Sequence, residues 1–139
     1  MKKEDKDLLL KDLCARLPYD VYVRRYVYTT FDDAIESVEL FGVGWLEELY
    51  EEEAEFKPYL FPLSSMTKEQ ESYLHFNTKF RLDMCNDLTV KIDEDDNYFY
   101  TDTFDYVSLT DWLNKNHFDY RGLIEKSLAL DATNLGIYE

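Results

Sequence analysis

Hydrophobic and polar positions recur with two different periods along this chain, and the changes of period mark its elements. Leu10, Leu13, Cys14 and Leu17 fall at i, i+3, i+4 and i+7 with Asp5, Lys6 and Asp12 on the polar side, which predicts an amphipathic helix stopped by Pro18. Across 21–28 the period drops to two. Val21, Val23 and Val27 alternate with Tyr22, Arg24, Tyr26 and Tyr28, the pattern of a strand. Alternation over 34–43 favours a second strand over the helical stripe Phe31, Ile35, Val38 and Phe41, and Gly42 and Gly44 break it. Leu46, Leu49 and Tyr50 share a helical face in a glutamate-rich stretch, so 45–56 is expected to be helical. Pro58 and Pro62 then require an extended or turning segment.

Thr67 followed three residues later by Gln70 has the form of a capping box, opening a helix with Tyr73, Phe76, Phe80 and Met84 on one face. Segments 88–92 and 98–104 have strand composition around the turn-rich tip 93–97, which reads as a hairpin. Ser108 and Asp111 form a second capping signal for a helix bearing Leu109, Trp112, Leu113 and Asn116 on one face, and a short helical segment follows at 121–129. Together these elements predict a single α+β domain spanning 1–139, a small antiparallel sheet with three to five helices packed against it.

Charge changes this picture more than composition does. Residues 26–56 hold ten acids and 92–114 hold seven, and neither stretch contains a lysine or arginine. The two stretches sum to −17 of the −15 total, the remainder of the chain being slightly basic. Such a balance argues against direct contact with nucleic acid or an anionic membrane, since affinity for phosphates comes from lysine and arginine. With 45% hydrophobic and 17% aromatic residues the chain is far from a disordered composition. No apolar run is long enough to span a bilayer and no apolar block follows the basic start, so the expected location is cytoplasmic. Cys14 and Cys85 are too few and too far apart for a disulfide framework or a zinc site, and are expected to be buried free thiols.

No catalytic signature stands out, and no cofactor or metal is expected. Asp93, Asp95 and Asn97 have the spacing of the first calcium-loop ligands, but Tyr98 occupies the required glycine position and Phe104 that of the bidentate glutamate, so a solvated tip is the expectation. His117, Asp119, Tyr120 and Arg121 mix acid, base and phenol, yet no nucleophile accompanies them. His117 is expected beside a helix C-terminus, with Asp119 and Arg121 bracing the turn. Tyr22, Arg24 and Tyr26 on one strand face have the make-up of a stacking platform, with Arg121 as a further candidate ligand contact. Glu47, Glu51 and Glu55 recur at i+4 and would form a like-charge ladder on a helix.

Three segments carry a resemblance: LCARLPY at 13–19, KPYLFPLSSMTKEQ at 57–70 and DWLNKNHFDYRGLIEKSLALDA at 111–132. The chain resembles a widespread family of small uncharacterised proteins encoded by gut bacteria and by their phages and prophages. The resemblance implies a mobile-element origin and a small α+β fold, and it brings no activity, cofactor or catalytic residue. One departure is Phe61, where members of that family often have arginine. The expected function is a non-enzymatic acidic interaction protein that engages, and inhibits, a host protein with a basic, nucleic-acid-binding surface, as in counter-defence or DNA mimicry. The expected contact residues are Glu36, Glu47, Glu48, Glu51, Glu52, Glu55, Asp93, Asp95, Asp96 and Asp102. The alternative is a small-ligand or nucleotide-sequestering protein using Tyr22, Arg24, Tyr26 and Arg121.

Overall fold

The computed structural model describes residues 2–28, 34–51, 54–78 and 103–139, which build an α+β fold. Helix α1 (Lys3–Arg16) leads into β1 (Tyr22–Tyr28), β2 (Ala34–Leu40), the short α2 (Leu46–Tyr50) and β3 (Glu55–Pro62). Then come α3 (Lys68–Thr78), α4 (Thr103–Lys115) and two two-residue strands, β4 (Phe118–Asp119) and β5 (Leu130–Asp131). β1 is central to the antiparallel core: Tyr22 stands opposite Leu40 of β2, and Val23 opposite Pro58 of β3. The second half of β3 pairs in parallel with β4 and β5, so the sheet is antiparallel in its long strands and parallel in its short additions. Proline donates no hydrogen bond and is tolerated where a ladder ends. Pro58 sits at that point, where β3 leaves β1 and changes partners.

Strand alternation sends Val21, Val23, Phe56 and Leu60 to one face, where they are fully buried against Leu9 and Leu13 of α1. Phe41, Leu49, Leu123 and Leu128 close this first cluster. Beyond β3, Leu63 and Met66 join Leu74 of α3, Leu109 and Leu113 of α4, Phe118 and Tyr120 in a second. Trp112 covers its edge, stacked on Phe118 at 5.6 Å. Each fully buried side chain of this size contributes about 1.5–3 kcal/mol, so the clusters dominate the favourable side of folding.

Several elements differ from the periodicity, each for a physical reason. α2 covers only five residues, because Phe56 gains complete burial as a strand residue and carries Glu55 with it. The glutamate ladder is thereby cut to Glu47 and Glu51, which removes part of the like-charge repulsion. α3 begins at the expected capping box, with Thr67 N–H donating to Gln70 Oε1 at 2.9 Å and Gln70 N–H to Thr67 Oγ1 at 3.1 Å. Its buried residue is Leu74, however, while Tyr73 and Phe76 are exposed. α4 starts five residues before Ser108, so Thr103 and Phe104 are helical rather than part of a strand. Residues 121–129 form turns instead of a helix: Gly122 and Ser127 take left-handed φ values of 76° and 60°, and the Leu123 carbonyl accepts from both Leu128 and Ala129. Cys14 is exposed rather than buried. Phe80, Met84, Cys85 and the hairpin at 88–102 with its tip Asp93 to Asn97 lie outside the described residues.

Asp12 departs most from expectation. It lies on the buried stripe of α1 with Leu9, Leu13 and Arg16, and both it and Arg16 have no exposed side-chain surface. Arg16 Nε donates to Asp12 Oδ2 at 2.8 Å, and Arg121 Nη1 to Asp12 Oδ1 at 2.8 Å. Arg16 Nη2 also donates to the Phe118 carbonyl of β4 at 2.7 Å. The Tyr120 ring lies beneath both guanidinium groups, at 5.4 Å and 4.5 Å. Removing one member of a buried pair leaves uncompensated charge and costs about 3–5 kcal/mol. Asp12→Ala is therefore expected to lower the unfolding free energy by about that amount in urea denaturation, whereas Glu36→Ala, which opens only a half-exposed pair with Arg24, should cost under about 1 kcal/mol.

Candidate functional site

Where β1 begins, β3 ends and α4 stops, residues 132–139 fold back as an arm and complete an open cleft of about 740 Å3. Tyr19, Asp20 and Tyr22 line it from the start of β1. Phe61, Ser65, Thr67 and Gln70 line it from the β3–α3 connection. Lys115, Asn116 and His117 come from the end of α4, and Asn134, Gly136, Tyr138 and Glu139 from the arm.

Tyr138 fixes the arm in place. Its hydroxyl accepts from Tyr22 N–H at 3.0 Å and donates to the Tyr59 carbonyl at 2.7 Å, so one phenol joins the arm to two strands. The ring stacks on His117 at 3.7 Å and 12°, and meets Tyr22 and Phe61 at 5.6 Å and 5.9 Å. Burial pushes the hydroxyl pKa well above the usual tyrosine value, so it stays protonated and keeps donating.

His117 is the residue just past α4, at φ 63°, the left-handed position that closes a helix and usually holds glycine or asparagine. Its N–H donates to the Asn114 carbonyl at 3.1 Å and its own carbonyl accepts from Phe61 N–H at 2.8 Å, tying α4 to β3. Asp20, Asn134 and Gly136 also have positive φ, so four of the six such residues described line this one cleft. For the three that are not glycine the conformation costs of order 1 kcal/mol each, offset by the surrounding bonds. The His117 Nδ1 is sealed from water without a hydrogen-bond partner. Burial, aided by the nearby Arg16 charge and opposed by Asp20, lowers its pKa from 6.5 to about 4, and the imidazole is neutral at pH 7.

The polar side chains of the cleft are oriented from behind. Gln70 Oε1 is held by Thr67 N–H, Asn116 Nδ2 donates to the Trp112 carbonyl at 2.9 Å, and Ser65 Oγ donates to the Pro62 carbonyl at 2.7 Å. Each group therefore has one end engaged by the fold and keeps further hydrogen-bonding capacity.

Of the residues singled out from sequence, Tyr22 lines the cleft. Arg24 instead lies over the Tyr26 ring at 4.3 Å and pairs with Glu36 at 3.3 Å, while Arg121 is held in the Asp12 cluster. Asp119 accepts from Leu123 and Ile124 N–H at 3.0 Å and 2.9 Å, bracing the turn as expected. Glu48 forms a forked pair with Arg25, at 3.0 Å and 2.9 Å, and Glu55 lies 3.6 Å from Lys57. Glu47 and Glu51 are exposed. Glu52, Asp93, Asp95, Asp96 and Asp102 lie outside the described residues. Sequence pattern missed Tyr138 and Asn116 as site residues, because neither carries a local signal, and it placed Gln70 only as a cap. The three segments behind the family resemblance do meet here, through Tyr19, through Phe61 to Gln70, and through Lys115 to Phe118.

Among the described residues no group of His, Cys, Asp and Glu is arranged to hold a metal ion, and no helix is long and apolar enough to cross a membrane. No family model, curated protein or solved structure matches this chain.

A lowered histidine pKa means that the unfolded chain binds more protons than the folded one between about pH 4 and 6.5. This contribution to stability is complete above about 6.5 and is lost as pH falls towards 4. His117→Asn keeps a side chain suited to positive φ and has no such titration. Urea denaturation across this range should show the wild type losing stability relative to His117→Asn on acidification, and parallel profiles would refute the burial of a neutral imidazole.

Proposed function

We propose that this chain is a non-enzymatic binding protein that holds a small ligand in the cleft closed by its C-terminal arm. The observation that carries this reading is the convergence of aromatic walls and pre-oriented polar ends in one concavity of about 740 Å3. Small-molecule sites occupy roughly 300–1,000 Å3 and combine apolar walls with a few placed polar groups. Binding fits the lining better than catalysis does. Ser65 Oγ is directed at a carbonyl, and His117 Nδ1 has no carboxylate behind it, so the described lining lacks a nucleophile with an oriented base. Thermal-shift measurements against bases, nucleosides, sugars and amino acids test this. At least one class should raise the melting temperature of the wild type, by mass action, and fail to do so for Lys115→Trp, whose indole fills the cleft from an exposed position. A panel without a single cleft-dependent shift would end the reading.

Glu47 and Glu51, exposed on and just after α2, favour a second reading, in which a carboxylate surface of a phage- or prophage-encoded protein engages a basic host protein. It is the narrower of the two, because Glu36, Glu48 and Glu55 already face Arg24, Arg25 and Lys57. Affinity for a partner captured at low salt should fall at least tenfold on raising ionic strength to about 0.5 M, since exposed charges are screened beyond a few ångströms there. Affinity that is insensitive to salt would rule out electrostatic mimicry.

A further inference from the structure

We infer that the cleft takes an uncharged flat heterocycle with a hydrogen-bonding edge, a nucleobase or nucleoside, and discriminates against its phosphorylated forms. The inference rests on the binding-protein reading and adds the chemical class of the ligand.

Two side chains that line the cleft have one end of an amide engaged by the fold. Gln70 has its oxygen engaged by Thr67 N–H, so the end remaining is the amide nitrogen, a donor. Asn116 is tied the other way round, with one N–H of its amide on the Trp112 carbonyl, so its oxygen is the acceptor end opposite the tether. His117 adds a neutral imidazole to the cleft wall, with its Nδ1 sealed in the fold. A donor end and an acceptor end held in this way complement a base edge, where carbonyl or ring-nitrogen acceptors adjoin N–H donors. Tyr22, Phe61 and Tyr138 supply aromatic surface of the kind on which bases stack.

Charge separates nucleosides from nucleotides. Among the described lining residues Lys115 is the one cation, against the carboxylates of Asp20 and Glu139, and the His117 ring is neutral at pH 7. A phosphate adds about −1.5 to −2 charge at that pH. It would enter a cleft with one cation for two anions, on a chain of net charge −15.

Calorimetric titration of the full chain with the common bases, their nucleosides and the matching 5′-monophosphates tests this. At least one base or nucleoside should bind, with its 5′-monophosphate roughly tenfold or more weaker, the penalty of an unpaired or repelled polar group. Gln70→Glu keeps an oxygen for Thr67 N–H, and with it the cap, but exchanges the donor for an acceptor. It should weaken the same nucleoside roughly tenfold at an unchanged melting temperature. A monophosphate that binds as tightly as its nucleoside overturns the inference on wild-type protein alone, whatever the variant does. So does cleft binding confined to sugars or amino acids, seen as NMR shifts at Gln70, Asn116 and Tyr138, although that outcome leaves the binding-protein reading standing. If no compound of any class shifts those signals, both fail.

Discussion

Asp12 is the group on which the arrangement of the chain depends. A carboxylate with no exposed surface is stable only if its lost hydration is replaced, and here two guanidinium groups replace it, one from its own helix and one from a residue 109 positions later. Arg16 extends the link to the Phe118 carbonyl, so α1, β4 and the turns after β4 are bound through one centre. Asp119 continues it by accepting from the backbone N–H groups of that turn. Apolar burial supplies more free energy but is indifferent to partner. The ion cluster supplies direction, placing β4 beside β3 in the one register where Phe61 meets Phe118.

That placement makes the cleft. With β4 beside the end of β3, His117 is forced into the left-handed conformation that ends α4, and its carbonyl bonds Phe61 N–H. Tyr138 stacks on the imidazole while bridging Tyr22 and Tyr59. Strained backbone and fixed amides line the same concavity, with the unpartnered ring nitrogen buried behind its wall. Local costs concentrated in one place, and over-determined by the surrounding bonds, are what a pre-organised binding site requires.

The fold class and most of the elements were legible because they depend on local period. Val21 to Tyr28 alternates and is a strand, and Thr67 with Gln70 caps α3 as its spacing requires. What the pattern missed depended on partners distant in sequence. Asp12 reads as a surface residue until Arg121 is beside it, and Phe56 reads as the end of a helix until the sheet offers it complete burial. The candidate site was less legible than the fold. Tyr22 was visible on its strand face, but Tyr138, Asn116 and Gln70 acquire a role only through hydrogen bonds that orient them. No periodicity encodes such bonds.

Net charge along the sequence is a poor guide to the surface this chain presents. Half of the described acids of 26–56 are answered by cations, Glu36 by Arg24 across the sheet, Glu48 of α2 by Arg25, and Glu55 by Lys57 on its own strand. Partly exposed pairs of this kind contribute little stability, yet they cancel the local field that a long run of acids suggests. A base-free stretch of sequence is therefore not a base-free surface, because folding sets the cations that flank the stretch beside its acids. The cleft shows the converse. Its lining carries little net charge, and the selectivity proposed for it rests on how each amide is held and on the neutral state of one histidine. Those properties become visible only when the hydrogen-bond partners of each group have been accounted for.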